Sequence, residues 1–249
     1  MYSLERYAYK DGTCDRMPTG LVGGYFSPQS FPGYTALYTS LDMGSVPATK
    51  AYIDKLKNMY NLMPSPGAVI SAKNAGKAGK SYYFEEVGGY LGAHVADVAT
   101  QELLAFNPQA SVDFRPQNGT WITVATDVLG FLTWGNNGGR GGDYANDGSI
   151  RFSGNSGWYP IQTVESYNGQ RSTYQGNFVD WFSQNAFGSV NYEYTPVGAV
   201  THVEEPYLAR INSNEYFRCW DEGQLFIDCA WMSRRVAFMM AVGDPWVTK

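Results

Sequence analysis

The sequence predicts an α/β fold, a mostly parallel sheet flanked by helices, formed by residues 1–249 as one domain. Three observations predict it. Short apolar runs alternate with stretches of helical periodicity. The segment Ile122–Trp134 becomes continuously apolar in its second half, as expected of a parallel strand covered on both faces. Hydrophobic residues make up 44% of the 249, enough for a large core.

Taken in order, the first 35 residues are rich in Gly, Pro and aromatics (Gly20, Gly23, Gly24, Pro28, Pro32, Gly33) and read as an irregular, packed opening segment. Leu37–Leu41 reads as a short strand. Ser45-Val46-Pro47 is a helix start, a capping Ser with Pro in the first turn. Ile53, Leu56 and Tyr60 continue it at helical spacing to about residue 61, and Pro64 and Pro66 end it. Gly67–Ala72 is a buried strand. Residues 73–80 form a loop with three lysines, which lacks the spacing of a phosphate-binding motif. Tyr82–Leu104 reads as a helix with a break at Gly88-Gly89, and Ser111–Arg115 alternates like a strand. After Trp134, a glycine-rich loop runs to Gly157, and long ordered loops are often functional. Trp158–Ser166 and Val197–Val203 are strands. Ser172–Asn185, Asn214–Cys219 and Gln224–Met240 are helices, and Gly243-Asp244-Pro245 is the stop after the last of them.

Composition narrows the function. Charged residues are only 16%, while 19 Tyr, 7 Trp and 28 Gly enrich a surface of neutral polar groups, a balance suited to a secreted or cell-surface protein. The net charge is −5 with no basic stripe, which argues against nucleic acid. No apolar run approaches the roughly 20 residues of a membrane span. Met1–Arg6 lacks the apolar centre of a signal peptide, so a leader was removed or never present. Of three cysteines, Cys219 and Cys229 pair if a turn separates them, leaving Cys14 over; three buried thiols are the alternative. Asn118-Gly119-Thr120 fits a glycosylation sequon.

Ligands of a parallel sheet bind beyond the carboxyl ends of its strands. Three exits qualify: Trp134 to Asn137, Glu165 to Asn168, and His202 with Glu204 and Glu205. If their strands are neighbours, the exits share one rim. Ser166, His202 and Glu204 are then candidate catalytic residues, with His taking the hydroxyl proton and a carboxylate orienting it. No GxSxG elbow surrounds Ser166, and a structural, hydrogen-bonding His202 at a strand end is the plainer alternative. Trp134, Asn136, Glu165, Tyr167, Asn168 and Glu205 line the same binding rim. His94 reads as structural, within a helix. Two histidines and scattered cysteines do not suggest zinc. Asp143, Asn146 and Asp147 offer oxygens to a calcium ion, against the alternative of a solvated turn. No other cofactor is implied.

The segments GFLTWGN (Gly130–Asn136), Trp158–Ser166, GAVTHVEEPYL (Gly198–Leu208) and AVGDP (Ala241–Pro245) resemble a family of uncharacterised exported bacterial proteins. Thr39–Leu56 is similar to a stretch that family carries upstream. The resemblance covers roughly residues 35–249. Members usually carry a further α/β portion before this point, which implies that the chain is a fragment, a shortened relative or one piece of a larger assembly. More distantly, the layout is similar to the caspase/gingipain fold, a three-layer sandwich in which one strand exit carries His-Gly and the next the nucleophilic Cys. Those positions fall at Trp134-Gly135 and near Ser166, so the dyad is missing. The resemblance therefore implies a non-catalytic exported protein acting by protein binding or self-assembly at the cell surface, with protein partners or as a homo-oligomer. The alternative is a peptidase-like hydrolase using Ser166 and His202.

Overall fold

A computed structural model describes residues 2–3, 35–36, 39–64, 70–74, 78–86, 94–116, 120–207 and 211–249. Its elements are β1 (Tyr2–Ser3), β2 (Thr35–Ala36), α1 (Val46–Met59), β3 (Tyr60–Pro64), β4 (Ile70–Asn74), β5 (Ser81–Glu85), α2 (Val95–Phe106), β6 (Ser111–Arg115), β7 (Val124–Thr126) and β8 (Val128–Thr133). They continue with β9 (Arg151–Ser153), β10 (Pro160–Thr163), α3 (Phe178–Trp181), β11 (Gly198–His202), α4 (Ser213–Asp221), α5 (Phe226–Met232), β12 (Met239–Gly243) and β13 (Val247–Thr248).

Six strands form the main sheet in the order β12-β11-β10-β8-β5-β6. Five run parallel, and β12 joins β11 antiparallel at one edge. The fold is thus α/β with a mostly parallel sheet and flanking helices. The central strands β8, β10 and β11 are buried along their whole length. Gly130 lies under Tyr82 and Phe217; a Cβ there would stand 2.5 Å from the Tyr82 ring. On that face Phe84 and Phe217 pack with centroids 4.7 Å apart, and Trp220 Nε1 donates to Leu129 O, seating α4 on the sheet. Phe131 points the other way, against Phe152 and Phe187, whose rings stack at 4.8 Å.

Helix α1 begins where Ser45 Oγ accepts from Ala48 N, and it buries Ala48, Tyr52 and Leu56, spaced four apart on one face. Tyr52 pins it to the sheet: its hydroxyl donates to Val197 O at 2.6 Å and accepts from Asp244 N at 2.7 Å. Cys219 on α4 and Cys229 on α5 form a disulfide, Cα atoms 5.2 Å apart. Cys14 lies outside the described residues, as do most of the opening segment, Asn118-Gly119 of the sequon and residues 75–77 of the lysine loop. Among the described residues no helix is long and apolar enough to cross a membrane.

Several expectations change. The helix expected over Tyr82–Leu104 is a strand, β5, followed by α2 from Val95, with His94 exposed just before the helix. Tyr82, Tyr83 and Phe84 are consecutive buried aromatics, which a strand covered on two faces accommodates and one helix face does not. The helix expected over Gln224–Met240 ends at Met232, and Met239–Gly243 is the antiparallel edge strand. Gly243-Asp244-Pro245 therefore ends a strand, not a helix. There Asp244 Oδ1 accepts from Trp246 N, and Gly243 takes φ 137 against Val197 O, where a Cβ would come within 2.5 Å. Ser172–Asn185 contains a single helical turn, Phe178–Trp181, capped by Asn177 Oδ1. Ile122–Trp134 breaks into β7 and β8 at Asp127, φ 52. The strand expected over Gly67–Ala72 lies at Ile70–Asn74. Of Leu37–Leu41, the described part makes only an isolated bridge, Ser40 to Val242.

Candidate functional site

The chain leaves β5 outward to β6, then returns to β8 on the other side of β5. The strand order therefore reverses between β5 and β8, and the exits of β5, β8, β10 and β11 follow one another along one edge. The three predicted exits do share this rim.

The reversal point is filled by a buried cluster. Glu85, the last residue of β5, is 3% exposed. Its Oε1 accepts from Arg140 Nη2 at 2.5 Å and Ile122 N at 2.6 Å, and its Oε2 accepts from the Thr133 hydroxyl. Arg140 also donates to Ile122 O and lies over the Trp121 ring. The next residue, Glu86, holds the start of α2: its Oε2 accepts from Ala96 N and Asp97 N.

Gly135 separates this cluster from a second buried carboxylate. Its N–H donates to Thr133 Oγ1, and at φ 51 it lies flat against Glu165, where a Cβ would stand 2.5 Å from the carboxyl carbon. Only glycine fits both the backbone and the space. Glu165 Oε1 accepts from Asn136 N (2.9 Å) and Gly176 N (3.0 Å), and Oε2 from the Tyr144 hydroxyl (2.9 Å). Tyr144 in turn accepts from Trp181 Nε1. The two carboxylates differ in one respect: Glu85 is paired with a guanidinium, whereas Glu165 meets only neutral donors. Burial pushes the Glu165 carboxyl up to about 7, against the donors of Asn136, Thr163, Tyr144 and Gly176, which pull it down.

Beside Glu165, Ser166 is held by the Gln175 amide at both ends: Ser166 N donates to Oε1 and Nε2 donates to Ser166 Oγ, each at 3.1 Å. Asn168 bridges two strands. Its amide donates to Thr163 Oγ1 and its Oδ1 accepts from His202 N at 2.7 Å, while Gly169 N donates to His202 O. The His202 side chain is fully buried, its ring 6.4 Å from that of Phe238. Glu204 stands in solvent and Glu205 is half-buried. Of the candidate catalytic set, then, Ser166 and His202 lie below the surface and Glu204 above it. Trp134 is buried too, at 1% exposure.

What the rim offers to solvent is aromatic and acidic. Tyr174 and Tyr207 are 73% and 76% exposed. Desolvation, then Glu204 and Glu205, then Tyr174 and Tyr207 raise the Tyr167 phenol. Tyr167 (φ 58) and Tyr207 (φ 48) both hold left-handed backbone, which costs energy in a non-glycine residue and concentrates at functional sites.

The expected calcium ligands Asp143, Asn146 and Asp147 lie on one turn. Asn146 is tied to Asp180 and Ser183, and Asp147 Oδ1 closes its own turn onto Ser149 N. Asp143 supplies its backbone carbonyl to the same turn. Among the described residues no group of three or more His, Cys, Asp or Glu side chains is arranged to hold a metal ion. Sequence reasoning missed Glu85, Arg140, Tyr144, Tyr174 and Gln175. Glu85 carried a signal, since a carboxylate closing an aromatic run marks a strand exit once that run is read as a strand. Gln175 carried none. No family model, curated protein or solved structure matches this chain.

Proposed function

We propose that this chain is an exported, non-catalytic protein on a caspase-like three-layer scaffold, and that it acts by protein binding or self-assembly through the rim above β8, β10 and β11. One observation carries the reading. Where the resemblance calls for a histidine and a cysteine on adjacent strand exits, this chain has a buried Trp134 and a Ser166 clasped by Gln175. A buried indole accepts no proton, and a hydroxyl held beneath the surface meets no substrate. The neighbouring parallel strands β8 and β10 support the scaffold, and the antiparallel β12 closes the edge. Above the lost dyad stand Tyr167, Tyr174 and Tyr207 with Glu204 and Glu205, large amphipathic side chains of the kind enriched at protein interfaces. Export is supported by the Cys219–Cys229 disulfide and the low charge.

A hydrolase is the second reading, favoured by Ser166 and His202 standing on adjacent exits that Asn168 joins. Sedimentation velocity over a range of concentrations tests the assembly reading. The chain is expected to associate, and a Tyr174→Ser/Tyr207→Ser double variant to stay monomeric without loss of melting temperature. A wild-type chain monomeric throughout, or a variant that associates equally, contradicts assembly through this rim.

A further inference from the structure

A concavity lies at the opposite end of the sheet from the rim, where β10 and β11 begin. It is a cavity of about 650 Å³ between α1, the turn at Gly154-Asn155 and the loop Asn191–Tyr194. That size falls within the range of small-molecule sites.

Every charge of its lining is already engaged. Lys50 pairs with Asp54 at 2.5 Å. Lys55 turns its ammonium onto Thr195 O, Thr195 Oγ1 and Pro196 O, at 2.6, 2.9 and 3.1 Å. The Glu193 carboxylate accepts from Val190 N and Asn191 N. Burial lowers the Lys55 ammonium to about 7, so Lys50 and Lys55 balance Asp54 and Glu193 below that pH, and above it the lining carries one net negative charge, which repels an anion.

What remains uncommitted is neutral. The side-chain amides of Asn58, Asn155 and Asn191 are exposed and make no hydrogen bond among the described residues. Each presents an acceptor and two donors side by side, a match for neighbouring hydroxyl groups. Tyr192 and Tyr194, half-buried against the core, also line the cavity. The loop bearing them is pre-set. Tyr192 is held at φ 66 by bonds from its N–H to Gln184 O and from Thr195 to its carbonyl. Tyr194 is fixed at both backbone ends, by Ser189 Oγ and by the Tyr159 hydroxyl. A backbone fixed this firmly, with both side chains half-buried against the core, is set before any ligand arrives, which lowers the cost of binding.

Unpaired amides, tyrosine side chains and engaged charges in one concavity match an uncharged, hydroxyl-rich ligand. We propose that this cavity is a binding site for neutral carbohydrate. Calorimetric titration of the full chain with maltohexaose, cellohexaose, mannohexaose and chitohexaose tests it, with dextran sulfate as the charged comparison. At least one neutral oligosaccharide is expected to bind saturably. Asn58→Ala/Asn191→Ala and, separately, Tyr192→Gly are expected to weaken it tenfold or more, with melting unchanged for the double variant. Tyr174→Ser on the distant rim is expected to leave it unaltered. The proposal is overturned if none of the four binds, if dextran sulfate alone binds, or if the Asn58→Ala/Asn191→Ala chain binds as the wild type does.

Discussion

Glu165 and Glu85 stand on either side of Gly135 at similar depth, yet only Glu85 has a cation. A carboxylate taken from water without one keeps its proton at higher pH, and burial raises Glu165 to about 7 from an ordinary 4.5. The sign of the consequence follows from proton counting. Between those values the folded chain binds the proton and the unfolded chain does not, so this group's contribution to stability is complete below pH 4.5 and is lost as pH rises to about 7. Unfolding free energies from denaturant titrations between pH 4.5 and pH 8 are expected to fall, by on the order of 3 kcal/mol for this one group. In Glu165→Gln that slope is expected to flatten, and a slope unchanged by the substitution would show that other groups cause it. At this scale the sequence was partly legible. The rim rule reached Glu165, Ser166 and His202 because each follows an apolar run directly. Glu85 escaped because its run was read as helix, and Gln175 because it reaches Ser166 from a loop whose path only the fold determines.

At the scale of elements, periodicity succeeded for helix α1, where one face is buried, and failed at β5 and β12, where both are. Helix α1 shows its face in Ala48, Tyr52 and Leu56. The run at Ser81–Glu85 and the stretch before Gly243 bury both sides, so they carry no period that separates strand from helix. The short helices α4 and α5 depend on more than their own hydrogen bonds, since isolated helices of this length are marginal in water. They bury Tyr216, Phe217, Trp220 and Phe226 against the sheet and are joined by the Cys219–Cys229 disulfide. That bond closes a short loop, so the Cys219→Ser/Cys229→Ser variant is expected to lose about 2–3 kcal/mol, read as a lower melting temperature. Equal melting of the variant and the oxidised wild type would mean that packing alone holds the pair.

For the whole molecule, the alternation of runs made an α/β class legible, while the strand order was not, because it depends on which distant segments pair. That order decides the argument about function. It sets β8 beside β10 and β11, so that Trp134, Ser166 and His202 occupy neighbouring exits, and burial then closes all three to solvent. Among the described residues, two outward-facing regions of different chemistry stand out. One is an acidic, tyrosine-rich rim at the carboxyl ends of the strands; the other is a cavity with engaged charges at their amino ends. Neither needs a nucleophile. The claim that catalysis is absent is tested most directly by incubating the intact chain with a fluorophosphonate probe beside a Ser166→Ala control and following covalent mass by mass spectrometry. Neither protein is expected to form an adduct. An adduct on the wild type that disappears in Ser166→Ala, and also in His202→Gln, would contradict that claim and establish the hydrolase.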